Sequence, residues 1–384
     1  MTALLRQRRL RALFYQVVAL LFLLWLGYEM VVNATTNVRD QGIATGLGFL
    51  SHTAGFGINQ TLIPYKETDS FARVFVVGLL NTLLVSILGI IFATIIGFIV
   101  GIARLSSNWL VSRLAGAYVE VVRNLPLLFH ILFWYLAVLR ALPTYHDSYA
   151  LGGAIFLNNR GLYIPGMALS DGWGWVAAAA LCGIVAGLAL WRWAVRAPRE
   201  AGSVRRAFIV WIVVSAGALI LALYATGFAI TFTLPTLGRF NIVDGIQLLP
   251  ELAALLIALS TYTAGFIAEI VRSGVLAVPR GQTEAAYALG LSRGATLRRI
   301  VVPQALRVII PPLGSQYLNL MKNSSLATAI GYPDLFALFA GTTLNQTGQA
   351  IEIIGITMLT YLVLSLAISG AMNLYNARMR LKER

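Results

Sequence analysis

With Cys182 as the single cysteine among 384 residues, the chain can form no internal disulfide and no multi-cysteine metal site. Histidine is nearly as scarce, and His52, His130 and His146 fall in separate segments, which argues against a histidine metal cluster. The three lysines, Lys66, Lys322 and Lys382, follow Tyr, Met and Leu, so no P-loop ending in Gly-Lys exists. Charged residues make up only 11% of the chain, and the polar–apolar alternation of a membrane β-barrel is missing as well.

Apolar residues dominate instead. They form 58% of the sequence, and the mean hydropathy of +0.78 lies far above values for soluble proteins. A hydrocarbon layer of about 30 Å needs about 20 apolar residues per helical crossing. Windows of that kind fall near 12–32, 71–101, 115–139, 173–191, 207–230, 248–271, 303–322 and 351–375. The fold class read from this pattern is all-α and polytopic, with about eight transmembrane helices, since helices satisfy their own backbone groups in lipid. Pro303, Pro311 and Pro312 remove backbone donors from the seventh window and are expected to bend it. The first window is too long for a cleaved leader, and Tyr28-Glu29-Met30 offers no small-residue cleavage site, so it reads as a retained signal anchor.

In a soluble protein the net charge of +14 would suggest nucleic acid, but here its location decides its meaning. With the N-terminus inside, 21 of the 29 Lys and Arg fall on cytoplasmic segments, which is the positive-inside bias. Both termini are therefore expected in the cytoplasm, and no nucleic-acid partner is expected. The opening region 1–70 reads as anchor helix plus outer loop, and 71–384 as the main transmembrane domain. Within it, 143–247 is an inserted loop and helix pair, and 273–302 a cytoplasmic loop.

That cytoplasmic loop contains one catalytic decoy. Gly290-Leu291-Ser292-Arg293-Gly294 fits G-x-S-x-G, but a nucleophile elbow needs a strand before the serine and a histidine on the same face. A helix-forming run precedes Ser292, so the simpler reading makes it the N-cap of the next helix. Thr283 is expected to cap a short helix beginning at Glu284 and ending at Gly290, a left-handed cap. Ala285, Ala286 and Ala288 would leave that helix a face with almost no side chain. It could pack on its own loop or admit another backbone.

Charges inside the spans cost energy and tend to face a cavity or partner. Glu120 and Arg123 lie i, i+3 on one helical face, roughly 10–15 Å into their span at helical rise. They could line or gate a zwitterion path, or pair with each other while Arg123 snorkels. Pro126 frees the carbonyl one turn earlier, suiting a polar site or a kink. Asn323 and Ser324 follow Lys322 at the end of the proline-containing span, either as a broken-helix polar site or as an ordinary cap. Glu269 and Arg272 read as an ion pair at the inner boundary. Gly97 with Gly101, and Gly183 with Gly187, are faces for close helix contact. Trp173, Trp175, Trp191 and Trp193 read as interfacial anchors, and 173–230 as packing or lipid-contact helices.

Glu284-Ala285-Ala286, three residues, Gly290, nine residues, then Ile300-Val301-Val302-Pro303 resembles the EAA signature of permease subunits of ATP-binding-cassette importers, with Val302 standing where that family usually has Leu. The stretch Tyr118 to Leu128 resembles the E-x-x-R-x-x-P-L-L element of its polar amino acid branch. Gly78 to Leu83, Tyr262 to Arg272, Lys322 to Leu326 and Gly331 to Leu335 are similar to that branch too. Gly42 to Leu50 and Leu62 to Tyr65 resemble the N-terminal extension of its general L-amino acid subgroup. The resemblance implies a five-helix permease core plus an N-terminal helix and an inserted pair, in a bacterial inner membrane, with no catalysis of its own. It implies that Glu284, Ala285, Ala286 and Gly290 couple to a separate cytoplasmic ATPase dimer, which would bind ATP and Mg, leaving this chain without a cofactor. It further implies a second permease subunit of different sequence, a periplasmic amino acid binding protein, and an amino acid substrate. Glu120, Arg123, Asn124, Asn323 and Ser324 are the candidate substrate-path residues. The rival reading, an ATP-independent secondary transporter or channel, would need ion-coupling acids or a paired inverted repeat, and the hydropathy shows no such repeat.

Overall fold

The computed structural model describes residues 8–40, 42, 45–169, 173–196, 203–226, 230–239 and 241–379. Each expected membrane window carries a helix. These are α1 (Arg8–Asp40), α2 (Phe71–Ala103), α3 (Trp109–Asn124) with α4 (Leu127–Leu132), α5 (Trp173–Arg196), α6 (Ser203–Ala225) and α7 (Pro250–Leu276). After two short helices, α8 (Arg280–Ala288) and α9 (Arg293–Thr296), come α10 (Val302–Asn323), the single turn α11 (Leu344–Thr347) and α12 (Ala350–Met379). By length and composition, five helices among the described residues can cross a membrane, six if the bent α3–α4 pair counts as one. The expectation of eight is met in helices but not in apolar length. The apolar stretch of α5 covers only Gly174–Gly187, and α10 is diluted by Gln304, Arg307, Gln316 and Asn319.

One further expectation changes, and the proline-containing window proves to be a single helix. The third window is not one straight span: Trp109–Asn124 and Leu127–Leu139 meet at 107°. Leu125 is extended (φ −99°, ψ 138°), as a residue preceding proline must be, and Pro126 has no N–H to give. Conversely, α10 runs without interruption through Pro311 and Pro312. A π-turn over Leu297–Val301 leads into it, putting Pro303 in the first turn, where a missing N–H costs nothing.

The chain divides into two compact units. One comprises residues 1–132 and 255–384. Its core forms where α2 meets the Gly331–Phe339 stretch, with Phe71, Val74, Val77, Leu335, Phe339 and Ile353 buried together and Phe49 of the N-terminal extension closing over them. Deeper along α2, Gly97 and Gly101 lie so close to α7 that a Cβ would stand 2.6 Å from the Ile267 Cβ and 2.7 Å from the Val271 Cβ. The first glycine pair is therefore a helix contact, as its spacing suggests.

The other unit, residues 133–254, adds strands to what the sequence read as loop and helices. β1 (Tyr149–Leu151), β2 (Ile155–Asn158) and β3 (Gly161–Ile164) form an antiparallel meander, β4 (Gly166–Leu169) pairs with β5 (Ile230–Thr233), β6 (Thr236–Leu237) with β7 (Ile242–Val243), and β8 (Ile246–Leu248) completes the first sheet beside β3. Here α5 packs against α6, and the Trp211 indole donates to the Gly183 carbonyl at 2.7 Å. Of the expected anchors, Trp175 is exposed, while the side chains of Trp173, Trp191 and Trp193 lie outside the described residues.

Candidate functional site

The loop between α7 and α10 folds into α8, a tight stop, and α9. The helix starts earlier than expected: Pro279, extended at φ −60° and ψ 136°, precedes Arg280, and Thr283 lies inside the helix rather than capping it. Proline is well suited to a boundary because its ring fixes φ and it needs no N–H partner. The stop is as read. Gly290 adopts φ +78°, its N–H donates to the Tyr287 carbonyl (2.9 Å), and the Leu291 N–H reaches back to Ala286 (3.1 Å). This pair of bonds is a Schellman cap. Nothing lies within 4 Å of where a Gly290 Cβ would sit, so the glycine is required by backbone conformation and not by crowding. Ser292 caps α9 as expected, its hydroxyl accepting from the Ala295 N–H at 3.4 Å.

The alanine face divides. Successive residues turn by about 100°, so Ala286 is 1% exposed against its own chain while Glu284, Ala285 and Ala288 face outward. The outward side also carries bulk: Tyr287 is exposed and Leu289 is 81% exposed. An exposed leucine and tyrosine thus stand beside small residues on a short, well-capped helix.

The path residues are only partly assembled. Glu120, Arg123 and Asn124 are exposed on the C-terminal half of α3. Arg123 lies over the Phe266 ring at 5.2 Å, and no ion pair joins it to Glu120 among the described residues. The pairing alternative is thus not adopted, because the guanidinium is held by an aromatic face on α7. Asn323 is half-buried at the end of α10, and Ser324 is buried with its hydroxyl donating to the Met321 carbonyl at 2.8 Å. Its hydroxyl is therefore committed to the turn. The carbonyl freed by Pro126 is that of Val122, and His130 Nε2 lies 3.3 Å from it, donating when that nitrogen carries the proton.

The ion pair expected at the inner boundary is found, and several further contacts escaped the sequence reading. The Glu269–Arg272 pair is present at 2.6 Å, and Glu269 also binds Arg104 at the end of α2, joining two helices. Asn81, fully buried, donates to the carbonyls of Pro333 (2.8 Å) and Gln60 (3.0 Å), while Thr82 Oγ1 accepts from the Leu335 N–H at 3.0 Å. Tyr332 in turn donates to the Asn81 carbonyl at 3.2 Å. Gly78 permits the approach, since a Cβ there would stand 2.9 Å from the Leu335 Cα. The Gly78 to Leu83 and Gly331 to Leu335 motifs are thus two halves of one brace.

Apolar helices of crossing length define a multi-pass membrane protein. Residues 93–381 match the binding-protein-dependent transport system inner membrane component, and the chain belongs to that family of permease subunits. It is 50% identical over 374 residues to YhdX of Escherichia coli (strain K12), covering 97% of this chain and 95% of that one. Identity is 48% over 376 residues to the general L-amino acid transport system permease protein AapQ of Rhizobium johnstonii, covering 97% and 93%. It is 42% over 412 residues to the glutamate/glutamine/aspartate/asparagine transport system permease protein BztB of Rhodobacter capsulatus, covering 98% and 95%.

Proposed function

We propose that this chain is a permease subunit of an amino acid importer in the bacterial inner membrane, with both termini and the α8 loop on the cytoplasmic side. Arg280 to Gly290 would dock on a separate ATPase dimer that binds ATP and Mg, with Glu284, Ala285 and Gly290 at the contact and Ala286 supporting it from beneath. A second permease of different sequence and a binding protein on the far side complete the assembly. The likeness to the general L-amino acid permease AapQ and the glutamate/glutamine/aspartate/asparagine permease BztB supports a broad L-amino acid specificity. The observation that carries the coupling role is α8 itself: a short helix closed by a Schellman cap that presents Leu289 and Tyr287 together outside the chain's own core.

The test is to tag the chain in its native membrane, solubilise it mildly and identify what co-purifies, then reconstitute the complex and measure ATP-driven uptake of radiolabelled L-glutamine. A P-loop ATPase should accompany the wild type and be lost from Gly290→Val. Solute flux by the chain alone, without ATP, would overturn the proposal.

A further inference from the structure

The far ends of α10 and α12, on the side opposite α8, enclose a groove of about 430 Å³ whose lining includes Lys322, Ser325, Phe336, Met358, Tyr361 and Leu362. That volume lies within the range of sites for small amphiphiles, about 300–1,000 Å³. Two properties of the groove do not suit a mere packing gap. Most of its wall is apolar and open, with Phe336, Met358 and Leu362 exposed. Its one cation, Lys322, is exposed and makes neither of the two ion pairs found among the described residues. Asp334, whose carboxylate meets the lining residue Tyr361, is fully buried and already accepts from the Ala337 N–H (2.8 Å) and the Tyr361 hydroxyl (3.4 Å).

Depth adds a further constraint. At helical rise α12 spans roughly 45 Å, more than the hydrocarbon layer of about 30 Å. Its ends therefore reach beyond the layer, and the 22 residues of α10 rise roughly 33 Å from the arginine-rich loop before it, about one layer thickness, which puts Lys322 near the far headgroups. An ammonium at headgroup level, with an apolar trough running inward along α12, is complementary in charge and shape to a single kind of occupant. We infer that this groove binds an anionic phospholipid, its phosphate on Lys322 and an acyl chain against Phe336, Met358 and Leu362. A zwitterionic headgroup carries its own cation beside the phosphate and would gain less from the ammonium.

The whole complex, purified in mild detergent, is analysed for retained phospholipid by native mass spectrometry, and its Tm is followed as phosphatidylglycerol or phosphatidylcholine is added. The wild type should retain phosphatidylglycerol and gain roughly 2–4 °C from it but not from phosphatidylcholine. Lys322→Gln should retain about tenfold less, the scale of one lost charge-assisted hydrogen bond. Lys322→Arg should keep the lipid, and Leu362→Trp, which fills the trough and leaves the ammonium, should expel it. Equal retention by wild type and Lys322→Gln, or equal Tm gains from the two lipids, overturns the inference. So does loss of L-glutamine binding from Lys322→Gln with phosphatidylglycerol retained, which would make the cation a seat for the solute carboxylate. The wild-type lipid titration decides the matter even if a variant fails to fold.

Discussion

Gly290 separates two demands that a single glycine can meet, backbone freedom and lack of bulk. The position is open to space and its φ is +78°, so only the first applies. A β-branched side chain in the left-handed region costs about 1–2 kcal/mol, whereas asparagine visits it readily. Gly290→Val should therefore fray the end of α8 and release the ATPase, while Gly290→Asn keeps most of the co-purifying ATPase. If both variants lost it equally, side-chain volume at the contact would be the cause instead. Asn81 presents the opposite case, a side chain whose value lies in what it satisfies. Asn81→Ala leaves the Gln60 and Pro333 carbonyls without their donor, at about 1–3 kcal/mol for each buried group left unpaired, and should lower the Tm of the purified protein. The glycine's role was legible from its place after a helix-forming run. The asparagine's role was not, because its partners stand 21 and 252 residues away and no local pattern marks them.

At the scale of elements, hydropathy located every helix of crossing length, since burial in lipid writes itself directly into composition. The strands of residues 149–248 were invisible for a related reason. They are two to four residues long, too short for alternation to register, and β3 meets β8 across more than eighty residues of intervening chain. The start of α8 was misplaced because Thr283 looks like a cap while Pro279 sets the actual boundary. The contact between α2 and α7 yields a direct test. Gly97→Leu would force apart helices already in contact with Ile267 and the Ala264 carbonyl, and should destabilise by about 1–3 kcal/mol or more. Gly355→Ala, in open space on α12, should leave the Tm unchanged or raise it. The bend at Pro126 can be tested by a cycle. His130→Phe removes the donor facing the Val122 carbonyl, a loss that should shrink in a Pro126→Ala background, where residue 126 has an N–H to offer that same carbonyl.

For the molecule as a whole, the bent α3–α4 pair decides which faces lie together. Between the N-terminal extension and α8 the chain passes α2, the α3–α4 pair, α5 with α6, and α7. The α5–α6 hairpin contributes two crossings or none, so it leaves the parity untouched. If α3 and α4 together cross once, the extension and α8 fall on opposite sides of the membrane; if the 107° bend makes them a re-entrant loop, the two fall on the same side. The arginines at the start of α1 and around α8 favour opposite sides, because the positive-inside bias puts both in the cytoplasm and leaves the extension, one crossing after α1, outside. In a Cys182→Ser background, Glu67→Cys in the extension should react with a membrane-impermeant maleimide added outside spheroplasts, and Ala285→Cys only in inverted vesicles. Both residues are exposed, so burial would not mask either result. Labelling of both from the same side would remove α8 from the face where an ATPase could reach it, and the coupling role with it.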